Sequence, residues 1–204
     1  MREDRAIPNG AALFFLIAAA LAAMAGGMVL ADGGGVEGVR LAIRATARTS
    51  LALFLLAFAA SALVRLSPGA VTRWLLANRR WFGLGFAFSH LVHAGAIFLL
   101  HRWHPDTFAL LVQPKTFVTG GIAYLFIALL AATSFDRGVA ALGPRNWKRL
   151  HSIGIWVIWI SFVFTNGKRI PASAAYAIPV AILIAALALR LWAARRSRRV
   201  AAPA

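Results

Sequence analysis

The sequence contains no cysteine. That excludes disulfides, iron–sulfur clusters and thiolate metal sites. Acidic residues are almost as scarce: Asp and Glu number 6 against 22 Lys and Arg, for a net charge of +16. They are Glu3, Asp4, Asp32, Glu37, Asp106 and Asp136, each in a tail, a connection or the end of an apolar run. A transporter built on buried carboxylates therefore has little support. Charge of either sign is thin, at 14% of residues, whereas soluble domains carry about a quarter. No Rossmann-type glycine fingerprint is found, and no stretch remains for a flavin or nicotinamide domain.

What fills the chain instead is apolar sequence, 61% of its 204 residues. Six runs reach the length needed to cross a bilayer as a helix: about 11–31, 50–66, 81–101, 116–134, 150–166 and 173–192. Short alternating strands, the mark of a membrane barrel, are absent. The expected fold is an all-α membrane protein, a bundle of six transmembrane helices over 11–192. A tail at 1–10 precedes it and a basic tail at 193–204 follows. The run at 11–31 superficially resembles a cleaved signal, but it is too long and its lead is neutral, so it reads as a span.

The basic residues fall in the connections, which argues against nucleic acid as a partner and for topology charges facing membrane lipid. With six spans, the termini and the 2–3 and 4–5 connections share one side and hold 15 Lys and Arg, against 7 opposite. That bias predicts cytoplasmic termini in a multi-pass protein of a bacterial inner membrane. Arg40, Arg44 and Arg48 recur every four residues, as expected for a short interfacial helix before span 2, and 68–80 looks similar, with Trp74 at headgroup level. Thr133 to Arg137 reads as a helix stop in which Asp136 can pair with a neighbouring arginine, and SRRVAAPA at the end reads as disordered. Small residues crowd span 3 (Gly83, Gly85, Ala87, Ser89) and the start of span 4 (Thr119, Gly120, Gly121), where helices, or a flat cofactor, could come close.

The chemistry-bearing residues at membrane depth are histidines. WFGLGFAFSHLVHAGAIFLLHRWH places His90 and His93 one turn apart within span 3 and His101 and His104 at its outer boundary. No acid or base lies inside span 3 to make a proton relay, and neutral imidazole among phenylalanines suits a metal. The bland alternative is a hydrogen bond from each ring to a backbone carbonyl or to Ser89; for His101 and His104 an interfacial, solvated role is the simpler one. His151 opens span 5 beside Trp147, Lys148 and Arg149.

Two motifs together resemble the ferric-reductase-like transmembrane domain family. RRWFGLGFAFSHLVH is similar to its third span and NWKRLH to the start of its fifth, with the resemblance covering roughly 45–192. The resemblance implies electron transfer across the bilayer through b-type haem held by histidines of spans 3 and 5. It assigns His93 to span 3 and His151 to span 5, while the family's second span 5 histidine falls on Phe164, which cannot ligate iron. Phe164 lies thirteen residues, ~20 Å of rise, beyond His151. His151 is therefore not level with His93, and His90 narrows the mismatch by one turn. The expectation is one haem b at most, with His90 or His93 facing His151 as iron ligands. Quinol or a flavoprotein would be the donor and a separate periplasmic protein the acceptor. The chain would be an oxidoreductase component rather than a complete enzyme. The competing expectation is a haem-free scaffold or assembly partner of the same fold.

Overall fold

The computed structural model describes residues 7–112 and 114–201, without the side chains of 114–116 and 198–201. Arg2 and Arg5, used above for topology, and residues 202–204 lie outside the described residues, as do the side chains of Lys115, Arg198 and Arg199. All regular structure described is helical: α1 (Ala11–Ala31), α2 (Val36–Leu66), α3 (Ala70–Ala77), α4 (Arg79–Trp103), α5 (Pro105–Leu111), α6 (Pro114–Ala132), α7 (Asp136–Gly167) and α8 (Ala177–Ala201), with a 3₁₀ turn at Ala174–Tyr176.

Five of these, α1, α2, α4, α7 and α8, are long and apolar enough to cross a membrane. The fourth expected span corresponds to α6, whose apolar stretch Phe117–Ala132 is shorter than the rest. Large apolar side chains such as Phe15, Leu91, Ile122 and Ile160 point outward. In a bundle whose solvent is lipid, that exposure carries no hydrophobic penalty.

The expected interfacial helix around Arg40 does not exist as a separate element. Residues 36–66 form one unbroken helix, because nothing between Val36 and Leu66 is a glycine pair or a proline that would stop it. Arg40 and Arg44 instead fold back onto Glu37 at its start. The reversal before it is made by Gly33 (φ 56°) and Gly34 (φ 81°), backbone states that side-chain-bearing residues avoid. Asp32 Oδ2 then accepts from the Gly38 N–H at 2.7 Å, satisfying one of the donors a helix start leaves over. The stretch 68–80 does contain a short helix, α3, whose Trp74 Nε1 donates to the Pro8 carbonyl at 3.3 Å.

The α6–α7 corner falls at the expected helix stop, and Arg80 reaches Asp136 across it at 3.1 Å. Helix α7 is broken at Gly143 (φ 73°), so a second helical segment begins at Pro144. At the other end α8 runs helically through Ala201, so the first part of SRRVAAPA, 197–201, is helix rather than the irregular tail expected.

Helix α2 is central, packing against α1, α4 and α8, while α6 packs on α7 and α7 on α8. The core is aromatic and aliphatic: Phe54, Phe58, Phe82, Phe86, Ile158 and Leu183 are all buried. At Gly138 a Cβ would lie 2.6 Å from Thr133 Cα, a backbone atom that cannot step aside, whereas Gly83 has open space around it. Gly138→Ala is expected to lower the thermal midpoint in detergent, at a cost of about 1–3 kcal/mol. Gly83→Ala should leave it unchanged or raised, since alanine is ~1 kcal/mol the better helix former.

Candidate functional site

The site is built where α4 crosses α2. Polar side chains on α2 recur at Thr46, Thr49 and Ser50, a spacing that turns all three toward one neighbour. Opposite them α4 presents Ser89 and, one turn on, His93. Ser50 Oγ donates to Ser89 Oγ at 2.8 Å, Ser89 Oγ donates to the Thr46 carbonyl at 3.1 Å, and Thr49 Oγ1 stands 3.1 Å from Ser89 Oγ. Thr46, Ser50 and Ser89 are completely buried. With no water at this depth, each hydroxyl must find its partner within the protein.

His93 closes this ladder. Its Nδ1 lies 3.1 Å from the Ile43 carbonyl and 3.0 Å from Thr46 Oγ1, which itself donates to the Ala42 carbonyl at 2.7 Å. A carbonyl only accepts, and the Thr46 proton is already committed, so the proton of His93 belongs on Nδ1. Nε2 then keeps its lone pair. That is the arrangement in which a histidine, anchored through one nitrogen, offers the other to a metal.

His90 projects into an aromatic enclosure. Its ring centroid is 4.7 Å from Phe86, 5.6 Å from Tyr124, 5.9 Å from Phe162 and 5.9 Å from His93. Tyr124 Oη donates to the His90 carbonyl at 3.1 Å, tying α6 to α4. His90 Nδ1 is buried and has no hydrogen-bond partner. An orphaned buried nitrogen costs about 1–3 kcal/mol, and among the described residues the other buried polar side chains are satisfied.

The structure brings His90 and His93 together but not His151. His151 Nε2 pairs with Thr133 Oγ1 at 3.0 Å, and its ring stacks on Trp147 at 4.2 Å. Trp147 Nε1 donates to the Thr133 carbonyl at 2.7 Å, so both rings brace the α6–α7 corner. The α7 residue beside His90 is Phe162, eleven positions beyond His151, which is ~16 Å of helix rise. Phe164 is 56% exposed and packs under Lys168. It therefore points away from α4, and Phe162 occupies the place facing His90.

Towards the opposite end of α4, His104 Nε2 lies 2.9 Å from the Gly34 carbonyl and the His101 ring contacts Phe108 at 4.7 Å. Both have local structural partners. A cavity of about 520 Å³ opens at the α6–α7 corner, lined by Arg80, Phe135, Asp136 and Arg137 among others. No cluster of three His, Asp or Glu occurs among the described residues.

For a haem, these residues would supply histidine nitrogens from α4 alone and none from α7. His90 and His93 are on the same helix, one turn apart, and cannot flank a single iron from opposite sides. Across from them α7 offers the Phe162 ring, and His151 is engaged elsewhere. The hydroxyl ladder of Thr46, Thr49 and Ser50 was not anticipated from the sequence, although polar residues at i, i+3 and i+4 inside an apolar run are a readable sign of one face seeking partners.

A bundle of long apolar helices with histidines inside one of them defines a multi-pass membrane protein. The family model described as ferric reductase like transmembrane component matches residues 45–162, more than half of the sequence, and the chain belongs to that family. Two relatives carry the name protein-methionine-sulfoxide reductase heme-binding subunit MsrQ. The one from Ralstonia nicotianae is 29% identical over 171 residues, covering 81% of this chain and 76% of that protein. The one from Azospira oryzae is 35% identical over 80 residues, 38% of this chain, and the match spans only 34% of that protein's length. No solved structure matches.

The ladder yields a stability prediction. Ser50→Ala and Ser89→Ala should each destabilise by roughly 0.6 kcal/mol, the mean for hydrogen bonds between membrane helices. The double variant should cost clearly less than the sum, because both remove the same bond. Equilibrium unfolding in mixed micelles measures all three, and strict additivity would mean that the two hydroxyls are not coupled.

Proposed function

We propose that the protein is an integral membrane electron-transfer subunit that binds b-type haem and passes electrons across the bilayer to a separate acceptor. Family membership and the haem-binding relatives support this reading, and the observation that carries it is His93: half-buried, held through Nδ1, with Nε2 free to bind a metal. A haem bound there would supply a one-electron carrier. His93 would hold it from the α4 side, with His90 beside it as the other candidate on that helix. Phe86, Tyr124 and Phe162 would supply the apolar surroundings. His151, expected to face His90 or His93, pairs with Thr133 instead, so one haem that would be held from α4 alone is the form proposed.

The accompanying topology has α6 as a sixth crossing, both termini in the cytoplasm, and a bacterial inner membrane as the location. Its 19 residues span ~28 Å, close to a hydrocarbon core. Quinol or a flavoprotein would donate, and a separate periplasmic protein would accept. A second reading rests on Phe162. Because aromatic rings already pack around His90, the fold can also serve without cofactor as a scaffold or assembly partner.

The two readings separate in a dithionite-reduced minus air-oxidised absorption spectrum of protein purified from cells supplied with haem precursor. Haem b bands are expected, broad as for a high-spin iron, and a featureless spectrum would leave the scaffold. His93→Ala should abolish the bands and His151→Ala should retain them. If neither changes haem content, the site lies elsewhere. Phe162→His is expected to convert the spectrum to a six-coordinate, low-spin form, while Phe164→His should not, since that position faces outward.

A further inference from the structure

Helices α2, α4 and α8 converge at the end of the bundle where Gly10 N–H donates to Asn78 Oδ1, and they carry three arginines there. Arg190 of α8 donates from Nη1 to the Phe58 carbonyl at 2.6 Å and lies 4.2 Å over the centre of the Phe58 ring. Arg79 of α4 donates from Nη1 to Ser61 Oγ at 3.2 Å. Arg65 is on α2 itself. Phe58, Ser61 and Arg65 follow at i, i+3 and i+7, so they share one face of α2 and hold the three cations in a column.

A carbonyl and a hydroxyl satisfy single N–H groups but cancel no charge. Each guanidinium has five N–H donors in a planar fork, and the contacts to Phe58 and Ser61 use one apiece. The described carboxylates are engaged or remote: Asp32 caps Gly38, Glu37 holds Arg40 and Arg44, Asp136 holds Arg80, and Asp106 lies at the opposite end of α4. Arg79 and Arg190 are also half-buried, so water cannot fully hydrate them. Two half-buried guanidiniums without a carboxylate partner among the described residues, with the exposed Arg65 on the same face, are costly unless an anion joins them.

We infer that Arg65, Arg79 and Arg190 form a binding site for a phosphate group, supplied by the headgroup of an anionic phospholipid. Guanidinium forks match phosphate oxygens in geometry as well as charge. The setting favours a lipid over free phosphate, because Arg190 is followed by the exposed Leu191 and Trp192, apolar surface on which acyl chains can lie. The site is distinct from the histidines: Phe58 is twelve residues along α2 from Thr46, ~18 Å of rise. It also differs from the diffuse attraction that the exposed Arg195 and Arg196 exert on any anionic surface.

Native mass spectrometry of the full chain in detergent, with added phosphatidylglycerol or phosphatidylcholine, tests the site, alongside thermal midpoints with each lipid or with inorganic phosphate. The wild type should retain phosphatidylglycerol ~10-fold better than phosphatidylcholine, the factor one charge-assisted hydrogen bond supplies. Arg79→Gln/Arg190→Gln should lose that preference, while Arg195→Gln/Arg196→Gln should keep it. If the glutamine pair fails to fold, Arg79→Lys/Arg190→Lys keeps the charge without the fork and should still weaken retention. Equal retention of the two lipids by wild type, or equal loss in the Arg195/Arg196 control, would overturn the proposal. So would inorganic phosphate raising the midpoint as much as phosphatidylglycerol does, since the ligand would then be a free anion.

Discussion

The contact between α2 and α4 is the constraint on which the rest of the bundle depends. In lipid, apolar side chains gain nothing by turning inward, so helix association has to come from close packing and from polar groups with no other partner. Thr46, Thr49, Ser50 and Ser89 meet both conditions, being small enough for the backbones to approach and bonded to one another across the seam. Gly85 extends the close approach to α1, where a Cβ would sit 3.1 Å from Ile17.

Two consequences follow from that seam. It fixes the rotation of α4, which decides that His93 reaches the Ile43 carbonyl and that His90 turns toward α6 and α7. It also makes α2 the element against which α8 docks, so that Arg190 meets Phe58. The histidines and the arginine column are therefore set by the same helix face, at different depths. Between α4 and α7 the contact is of another kind, made by rings: Phe86 and His90 of α4, with Phe54 of α2 beside them, meet Phe162. Apolar ring contacts of this kind can repack more readily than a hydroxyl ladder.

Much of the fold was legible because the bilayer imposes a length and a composition on anything that crosses it. The runs at 11–31, 81–101 and 150–166 all reappear inside helices, with ends moved by caps such as Asn78 and His104. Arg40, Arg44 and Arg48 misled, because a cationic face reads as interfacial whether or not the helix continues. The site was half legible: an intramembrane histidine announces itself, but its partner does not. Counting thirteen residues from His151 led to Phe164, whereas rotation about the α7 axis puts Phe162 next to His90 and Phe164 outside.

Sequence alone determined that this is a helical membrane protein, where its runs lie, and that its only titratable groups deep in span 3 are His90 and His93, because dehydration of the backbone leaves no other design for such a composition. Only the tertiary structure decided which nitrogen of His93 is held, that His90 Nδ1 has no partner, that His151 braces a corner instead of facing α4, and that Arg79 and Arg190 stand side by side. Those outcomes depend on how each helix is rotated and how far it slides along its neighbour. Rotation and slide are set by contacts between residues far apart in the chain, such as Ser50 with Ser89 and Phe58 with Arg190, which local periodicity does not encode.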